Sequence, residues 1–253
     1  MAEAVDEVRY ERRGAAALVT IDRPARRNAI DGKTADALVA ALDAFEADDE
    51  ARVMVLTGAG EAFCAGADLT AIETLEPRAS RGEGPLGFTR RVALKPTIAA
   101  VDGWAVAGGL ELAVWCDIRV ASSKAQFGCL ERRFGVPLID GGTYRLPRIV
   151  GFGRALELVL TGRLIGAAEA LAMGLVTAVV DDPVAHALEL AEQLAAYPQE
   201  TMLSDRQSMY DGYGHTLEEA LALEARYGNE VLLVGRAGAA RFAAGEGRGA
   251  AGV

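Results

Sequence analysis

The stretch Ala99–Val120, AAVDGWAVAGGLELAVWCDIRV, is the most informative part of the chain because a glycine-rich break interrupts an apolar run. Its first residues are typical of a buried strand, and the apolar segment after Ala107-Gly108-Gly109 predicts a helix that begins near Leu110. Residues without bulky side chains let backbone N–H groups approach a ligand, and N–H groups at a helix N-terminus stabilise negative charge. The stretch therefore predicts a strand, an anion-stabilising turn and a helix.

Glu111 lies in the first turn of that predicted helix, between two leucines. The helix dipole tolerates a carboxylate there, whereas the apolar neighbours predict a dry setting in which the pKa is shifted. The residue is therefore a candidate for proton transfer. Taken without its flanking motifs, it is better explained as an acid that only stabilises the helix.

A second segment of small residues, GAGEAFCAGADL at Gly58–Leu69, follows the strand-like Val53–Thr57. Each of the two small-residue segments can supply a backbone N–H to a single oxygen. Two such donors form an oxyanion hole, which stabilises the charge that develops on an acyl carbonyl such as that of a thioester.

Strand-like and helix-like segments alternate along the chain, which predicts an α/β protein with parallel strand pairing. The predicted strands are Ala16–Ile21, Val53–Thr57, Thr97–Val101, Ile118–Ala121 and Ala125–Phe127. The predicted helices are Thr34–Glu46, Leu110–Cys116, Arg154–Leu160, Ala167–Met173, Val184–Ala196 and Leu217–Tyr227. The charged, Pro- and Gly-rich segment Glu76–Gly87 predicts a mobile loop outside the rigid core, and the tail from Gly235 predicts a helix with a fraying end.

Composition excludes several classes of function. The net charge of −10 opposes non-specific binding of nucleic acid. No apolar run is long enough to cross a membrane, and the acidic N-terminus lacks an apolar signal core, so we expect a cytoplasmic protein. Three cysteines without CxxC spacing and two histidines, His186 and His215, predict neither a disulfide framework nor a metal site. Nucleophile-elbow and dinucleotide motifs are missing as well.

Three motifs together identify a resemblance. GAGEAFCAGADL at 58–69, KPTIAAVDGWAVAGGLELAVWCDIRVAS at 95–122 and AQFGCLERRFGVPLIDGGTYRLPRIVG at 125–151 resemble the crotonase (enoyl-CoA hydratase/isomerase) superfamily in order and separation. The resemblance implies a crotonase spiral of ββα turns over residues 1–190. It also implies a helical region over 191–253 that packs on neighbouring subunits, as a homotrimer or a dimer of trimers.

The resemblance also implies the chemistry. Glu111 and Glu131 match the two catalytic glutamates of enoyl-CoA hydratases, and Asp140 falls at or near a position where some isomerases carry an acid. Hydration of a 2-enoyl thioester needs a base that activates water at Cβ and an acid that protonates Cα. We expect Glu111 to activate the water, Glu131 to serve Cα, and the amides of Ala65 and Gly108 to polarise the thioester.

Coenzyme A is anionic, so an acidic chain must bind it through a local positive patch. Arg23, Arg26 and Arg27 form one cluster, and Lys95 or the pair Arg132-Arg133 could contribute elsewhere. By resemblance, the coenzyme site is lined by the loop after the first strand and by the two small-residue segments: Ala25, Arg26, Arg27, Ala65, Gly66, Ala67, Asp68, Leu69 and Gly108. The thioester is the substrate itself, and we expect no separate cofactor and no metal.

Departures from the commonest hydratase pattern leave alternatives open. The chain has Arg132-Arg133 after Glu131, and Leu138-Ile139-Asp140 before the next glycine pair. With Asp140 as the proton carrier, double-bond isomerisation or dehydration of a hydroxyacyl-CoA becomes plausible. A protein that binds acyl-CoA without turning it over is the non-enzymatic alternative. The identity of the acyl group is not encoded in any of these motifs.

Overall fold

The computed structural model describes residues 7–80 and 82–245. Its strands are β1 (Val8–Arg13), β2 (Ala16–Ile21), β3 (Val53–Gly58), β4 (Ala62–Cys64), β5 (Thr97–Val101), β6 (Trp104–Val106), β7 (Ile118–Ser122), β8 (Gln126–Gly128), β9 (Ile165–Gly166) and β10 (Ala178–Val180). Its helices are α1 (Gly32–Ala47), α2 (Gly108–Trp115), α3 (Gly142–Val150), α4 (Phe152–Thr161), α5 (Ala167–Ala172), α6 (Pro183–Ala196), α7 (Gln199–Gly212), α8 (Leu217–Glu230) and α9 (Leu232–Ala244). The chain divides between Ala191 and Glu192 into two compact units.

The first unit contains two sheets. One has six strands in the order β1-β2-β3-β5-β7-β10, with β1 antiparallel to β2 and the other neighbours parallel. The other has four strands in the order β4-β6-β8-β9, parallel except for β9. From β3 to β8 the chain alternates strictly between the two sheets, which is the expected spiral. The α/β prediction and the parallel pairing are both confirmed.

Most predicted elements lie where the sequence indicated. β2 has the predicted bounds and is buried throughout, as a strand with neighbours on both sides must be. In α1, the side chains of Leu38, Leu42 and Phe45 lie on one buried face, and Asp31 caps the helix by accepting from the Thr34 amide. β1 was missed because it is an edge strand whose alternating charges look like solvated loop. α3 was missed because Pro147 lies inside it.

The segment Glu76–Gly87 departs from its prediction. Its end belongs to the interior: Leu86 is part of the hydrophobic core, as is Phe88 just beyond the segment, and Phe88 stacks on Trp115 of α2 with ring centroids 4.2 Å apart. Arg78 is buried too, and it donates to the Asp36 carboxylate and to the Pro85 carbonyl. The prediction that the whole segment stays outside the core is therefore wrong.

The second unit consists of α7, α8, α9 and the end of α6, with α7 packed on α8. Thr216 begins α8 with a capping box, in which its side chain and that of Glu219 satisfy each other's backbone amides. The Tyr227 hydroxyl of α8 donates to the Asp211 carboxylate of α7 at 2.5 Å. The helix expected from Gly235 is part of α9, whereas most of the glycine-rich end of the tail lies outside the described residues.

Across the described ranges, none of the helices has the length and hydropathy that a bilayer-spanning helix needs.

Candidate active site

Three neighbouring parallel strands of the four-stranded sheet bring the predicted site segments together. Cys64 of β4 pairs with Ala105 of β6, and Val106 of β6 pairs with Gly128 of β8. Because the carboxyl ends of parallel strands share one edge, the segments that follow these strands meet there. They surround a cavity of about 460 Å³ whose lining includes Ala65, Ala67, Leu69, Leu86, Ala107, Gly108, Glu111, Leu130, Glu131, Phe134, Ile139 and Asp140.

The two small-residue segments touch each other directly. A β-carbon on Gly66 would lie 2.7 Å from the Gly108 nitrogen, so only glycine allows this approach. Gly108 is the first residue of α2, and its N–H has no intrahelical acceptor. The close approach confirms that the two segments converge, as the sequence predicted.

The predicted donor role of Ala65 is wrong. Its N–H donates to the carbonyl of Arg27 at 3.0 Å and is not available to a ligand. Two residues further on, Ala67 lines the same cavity, and its N–H meets no acceptor among the described residues. Sequence reasoning missed this residue as a donor because both alanines belong to the same small-residue run, and only the distant Arg27 carbonyl distinguishes them.

Ala107, which precedes α2, has an unusual backbone conformation, with φ 53° and ψ −126°. Residues other than glycine rarely adopt such backbone angles, and each instance costs about 1–3 kcal/mol. The N–H of Ala107 donates to the Gly128 carbonyl at 2.9 Å, which ties the turn to the end of β8. This turn sets the direction of the next amide, that of Gly108.

Glu111 lies where the sequence placed it, in the first turn of α2, and is 3% exposed. Its Oε1 accepts from the backbone amides of Asp140 at 2.9 Å and Gly142 at 2.8 Å. Burial, joined by the nearby charge of Asp140, raises the pKa of Glu111 to about 8, although the two amides act in the opposite direction. The residue can therefore exchange a proton near neutral pH.

Glu131 lies on the 3-10 turn Leu130–Phe134 after β8 and is 5% exposed. Within the described ranges, neither of its carboxyl oxygens meets a donor with hydrogen-bond geometry. Burial raises its pKa, and its own backbone amide and the Arg132 guanidinium lower it by less. A buried carboxyl without a partner is costly to keep, which is typical of a group that acts on a ligand.

Asp140 lines the same cavity and is 3% exposed. Its Oδ1 accepts from the Leu86 amide at 3.0 Å and from the Thr89 hydroxyl. Burial raises its pKa, while these two donors and the guanidinium groups of Arg90 and Arg145 lower it by less. One oxygen of this carboxyl is thus committed within the protein, unlike either oxygen of Glu131.

The predicted coenzyme residues separate into two groups. Arg27 is exposed and lines the cavity with Ala65, Ala67, Leu69 and Gly108, whereas the cavity lining lacks Ala25, Arg26, Gly66 and Asp68. The Asp68 carboxylate accepts from Thr70 and from Arg23. Burial raises the pKa of Asp68, but these donors outweigh it and hold the pKa below its usual value. Its side chain is structural, which corrects the prediction.

Most of the other candidate cations are also engaged inside the protein. Arg23 is 13% exposed at its side chain and pairs with Asp31 at 2.8 Å and Asp68 at 3.2 Å. Lys95 donates to two backbone carbonyls at 2.9 and 2.8 Å. Arg132 donates to the Val159 carbonyl within α4, and Arg133 donates to the Gly162 carbonyl after it. In the part of the chain that the structure describes, no three His, Cys, Asp or Glu side chains are placed to hold a metal ion.

Comparison with known proteins gives consistent results. The family model described as "Enoyl-CoA hydratase/isomerase" matches residues 11–242. The chain is 39% identical to the short-chain-enoyl-CoA hydratase of Clostridium acetobutylicum, over 87% of this chain and 87% of that protein. It is 40% identical to a probable enoyl-CoA hydratase of Rhizobium meliloti, over 85% and 86%. The crystal structure of an enoyl-CoA hydratase from Mycobacterium marinum superposes with a TM-score of 0.89 at 35% identity, covering 94% of this chain and 96% of that one.

Proposed function

The chain belongs to the enoyl-CoA hydratase/isomerase (crotonase) family, and we propose on that basis that it is an enoyl-CoA hydratase, a hydro-lyase. It adds water across the 2,3-double bond of a 2-enoyl-CoA thioester. The water oxygen bonds to Cβ and one proton goes to Cα. The thioester oxygen carries the negative charge of the enolate between these two events.

The amides of Gly108 and Ala67 hold that oxygen. Both residues line the cavity, and neither amide has an acceptor within the described ranges. The close approach of Gly66 to the Gly108 nitrogen supports convergence of the two donors. Each donor of this kind contributes about 3–4 kcal/mol to stabilisation of the transition state.

Glu111 and Glu131 share the proton transfers, with one ionised and the other protonated. Two backbone amides stabilise the carboxylate of Glu111 when it ionises, and with a pKa of about 8 this carboxylate is basic enough to accept a proton from the attacking water. Among the described residues no donor meets the carboxyl oxygens of Glu131 with hydrogen-bond geometry, and burial outweighs the stabilisation of its anion by its own backbone amide and Arg132, which suits it to hold the proton that passes to Cα. Two acids with different environments are the usual means of running acid and base catalysis together.

The single observation that carries this proposal is the buried carboxyl of Glu131, which meets no hydrogen-bond donor among the described residues, in the cavity that Glu111 and Gly108 also line. The alternatives that assign proton transfer to Asp140 have less support, since Oδ1 of Asp140 already accepts two hydrogen bonds. A protein that only binds acyl-CoA has no evident use for a costly unpartnered acid.

Hydration of crotonyl-CoA, followed by loss of absorbance of the conjugated thioester, tests the proposal. Glu131→Gln should lower kcat by about 1000-fold or more while leaving affinity for butyryl-CoA, an unreactive saturated analogue, within a few-fold. Undiminished turnover by this variant would rule out the assigned role. Equal progress curves for wild type and a Glu111→Gln/Glu131→Gln double variant would favour binding without catalysis.

Assembly and location are further parts of the proposal. Phe152, Leu156 and Leu160 lie four residues apart on α4 and are exposed, which supports an apolar contact between subunits of a homotrimer or dimer of trimers. Three free, buried cysteine thiols fit the reducing cytoplasm. Light scattering on a Phe152→Glu/Leu160→Glu variant tests the contact, and a mass equal to that of wild type would place the interface elsewhere.

A further inference from the structure

Asp140 connects Glu111 to the buried segment Gly84–Thr89. Its backbone N–H donates to Oε1 of Glu111 at 2.9 Å, and its Oδ1 accepts from the Leu86 amide at 3.0 Å and from the Thr89 hydroxyl. The main chain of one residue thus holds a candidate catalytic carboxyl, while its side chain holds a neighbouring wall of the cavity.

Leu86 is the part of that wall that reaches the oxyanion turn. A β-carbon on Gly108 would lie 2.3 Å from Cδ1 of Leu86, so the leucine methyl group covers the α-carbon of Gly108. Leu86 is itself fully enclosed and lines the cavity. A hydrogen bond from an amide to a developing anion is stronger where water is excluded. The position of this leucine therefore bears directly on the strength of the Gly108 donor.

Two arginines also hold the main chain around Asp140 and Thr89, by donating to backbone carbonyls. Arg145 donates to the Asp140 carbonyl at 3.0 Å and to the Thr89 carbonyl at 2.6 Å. Arg90 donates to the Ile139 carbonyl at 3.2 Å. These contacts fix the main chain on each side, whereas the Asp140 carboxyl is the group that reaches the Leu86 amide itself. Thr89 completes the arrangement and is fully buried.

We propose that Asp140 is a positioning residue that, with Thr89, clamps Leu86 over the Gly108 amide and so keeps water away from the thioester oxygen. The inference rests on the proposed hydratase function and extends it. It needs no proton transfer by Asp140, because both hydrogen bonds end on Oδ1 and are kept whether or not Oδ2 carries a proton. For holding Leu86, what matters at this position is an acceptor in the right place, not a charge.

Substitutions at Asp140 can separate the loss of the acceptor oxygen from the loss of the charge. Asp140→Asn keeps an acceptor oxygen for Leu86 and Thr89 and removes the charge. Asp140→Ala removes the acceptor, and Thr89→Val removes one of the two donors while keeping the shape of the side chain. Asp117→Ala is the matched control, since Asp117 also accepts from an amide and a hydroxyl, both of Thr97, and does not line the cavity.

The first readout is hydrogen–deuterium exchange of the peptide covering residues 84–89 in the intact protein. We expect exchange of the Leu86 amide to rise about 10- to 100-fold in Asp140→Ala and by less in Thr89→Val. Asp140→Asn should stay within about threefold of wild type, as should the Asp117→Ala control. An unchanged rate in Asp140→Ala, or an equal rise in the control, overturns the clamp.

The second readout is hydration of crotonyl-CoA beside binding of butyryl-CoA. Asp140→Ala should lower kcat about 10- to 100-fold with a smaller change in butyryl-CoA affinity, and asparagine should restore most of the loss. Equal losses in the asparagine and alanine variants would show that the charge acts, and would overturn the proposal. If Asp140→Ala does not fold, the contrast between Thr89→Val and Asp140→Asn decides the matter. A wild-type protein without hydratase activity would refute the proposed function, whereas the exchange experiment would still report on the clamp.

Discussion

Gly142 lies directly against the carboxylate of Glu111. Its amide donates to Oε1 at 2.8 Å, and a β-carbon on Gly142 would lie 2.8 Å from Cγ of the glutamate. The second glycine of the Gly141-Gly142 pair therefore leaves room for the acid and holds it at the same time. The position of Glu111 in the cavity depends on a residue that carries no side chain.

Gly142→Ala should displace Glu111. Because misplacement of a catalytic group by about 1 Å can cost about 100-fold in rate, we expect kcat/KM for crotonyl-CoA to fall by that order. Gly153→Ala in α4 is the control: a β-carbon there meets nothing within 4 Å, and alanine favours the helix. Steady-state kinetics of both variants check the expectation. Full activity in Gly142→Ala would mean that Glu111 does not need its present position.

Gly66→Ala should block the oxyanion donor. The new β-carbon would lie 2.7 Å from the Gly108 nitrogen, at a residue whose φ is +90°. We expect kcat/KM to fall about 100-fold or more, as when one oxyanion donor is removed. Gly174→Ala is the matched control, since its φ is +78° but nothing lies within 4 Å of the added carbon. It should lose stability without losing activity, and thermal melts beside kinetics separate the two effects.

Glu111→Gln should make the protein more stable than wild type, by an amount that grows as the pH rises. Folding raises the pKa of this carboxyl from 4.5 to about 8, so the wild type loses stability as the pH rises through that interval. Glutamine keeps the acceptor oxygen and does not ionise. We expect the difference in melting temperature, variant minus wild type, to increase by at least about 2 °C between about pH 5 and about pH 8.

Glu157→Gln serves as the control for this measurement. The hydrogen bond from Arg163 lowers the pKa of Glu157, so its contribution to stability is lost as the pH falls and not as it rises. The melting temperature of this variant should therefore not increase relative to that of wild type as the pH rises. A Glu111→Gln curve that runs parallel to that of wild type would show that Glu111 ionises normally in the folded protein.

Arg27→Ala should weaken binding of the thioester by about two- to fivefold. This exposed arginine lines the cavity, and water around it would screen its attraction to a coenzyme phosphate. The difference should disappear in high salt. Arg23→Ala is the contrast: it leaves Asp68 buried without its cation, and should lower the free energy of unfolding by about 1–3 kcal/mol. Titration of butyryl-CoA at two salt concentrations, with denaturant melts, measures both. Equal affinity in low and high salt for the wild type would argue against an electrostatic contact.

Local patterns allowed half of the first unit's strands and most of its helices to be predicted, because hydrophobic periodicity and glycine position are properties of neighbouring residues. The bounds of β2 and β5 agree with prediction, and Glu111 lies on the expected turn of α2. The convergence of the two small-residue segments was expected because each follows a strand, and in the structure Gly66 lies against Gly108.

Contacts between distant residues could not be predicted in the same way. Which alanine amide is free depends on the Arg27 carbonyl, and the burial of Leu86 depends on Gly108 and Asp140. Likewise, the pairing of Arg23 with Asp68 crosses 45 positions of sequence and removes the arginine from the positive patch. Such hydrogen bonds and ion pairs are formed by the tertiary fold, and no short stretch of sequence contains both partners.

The backbone of Ala107 has a consequence for the energetics of turnover. An alanine at φ 53° and ψ −126° is held there by the surrounding fold. The orientation of the Gly108 dipole is thereby settled during folding, well before an enoyl thioester arrives. In the proposed reaction, no rearrangement of this dipole has to accompany turnover, so its full field is present when the enolate forms. The proposed mechanism thus converts some conformational stability of the resting protein into a lower activation barrier.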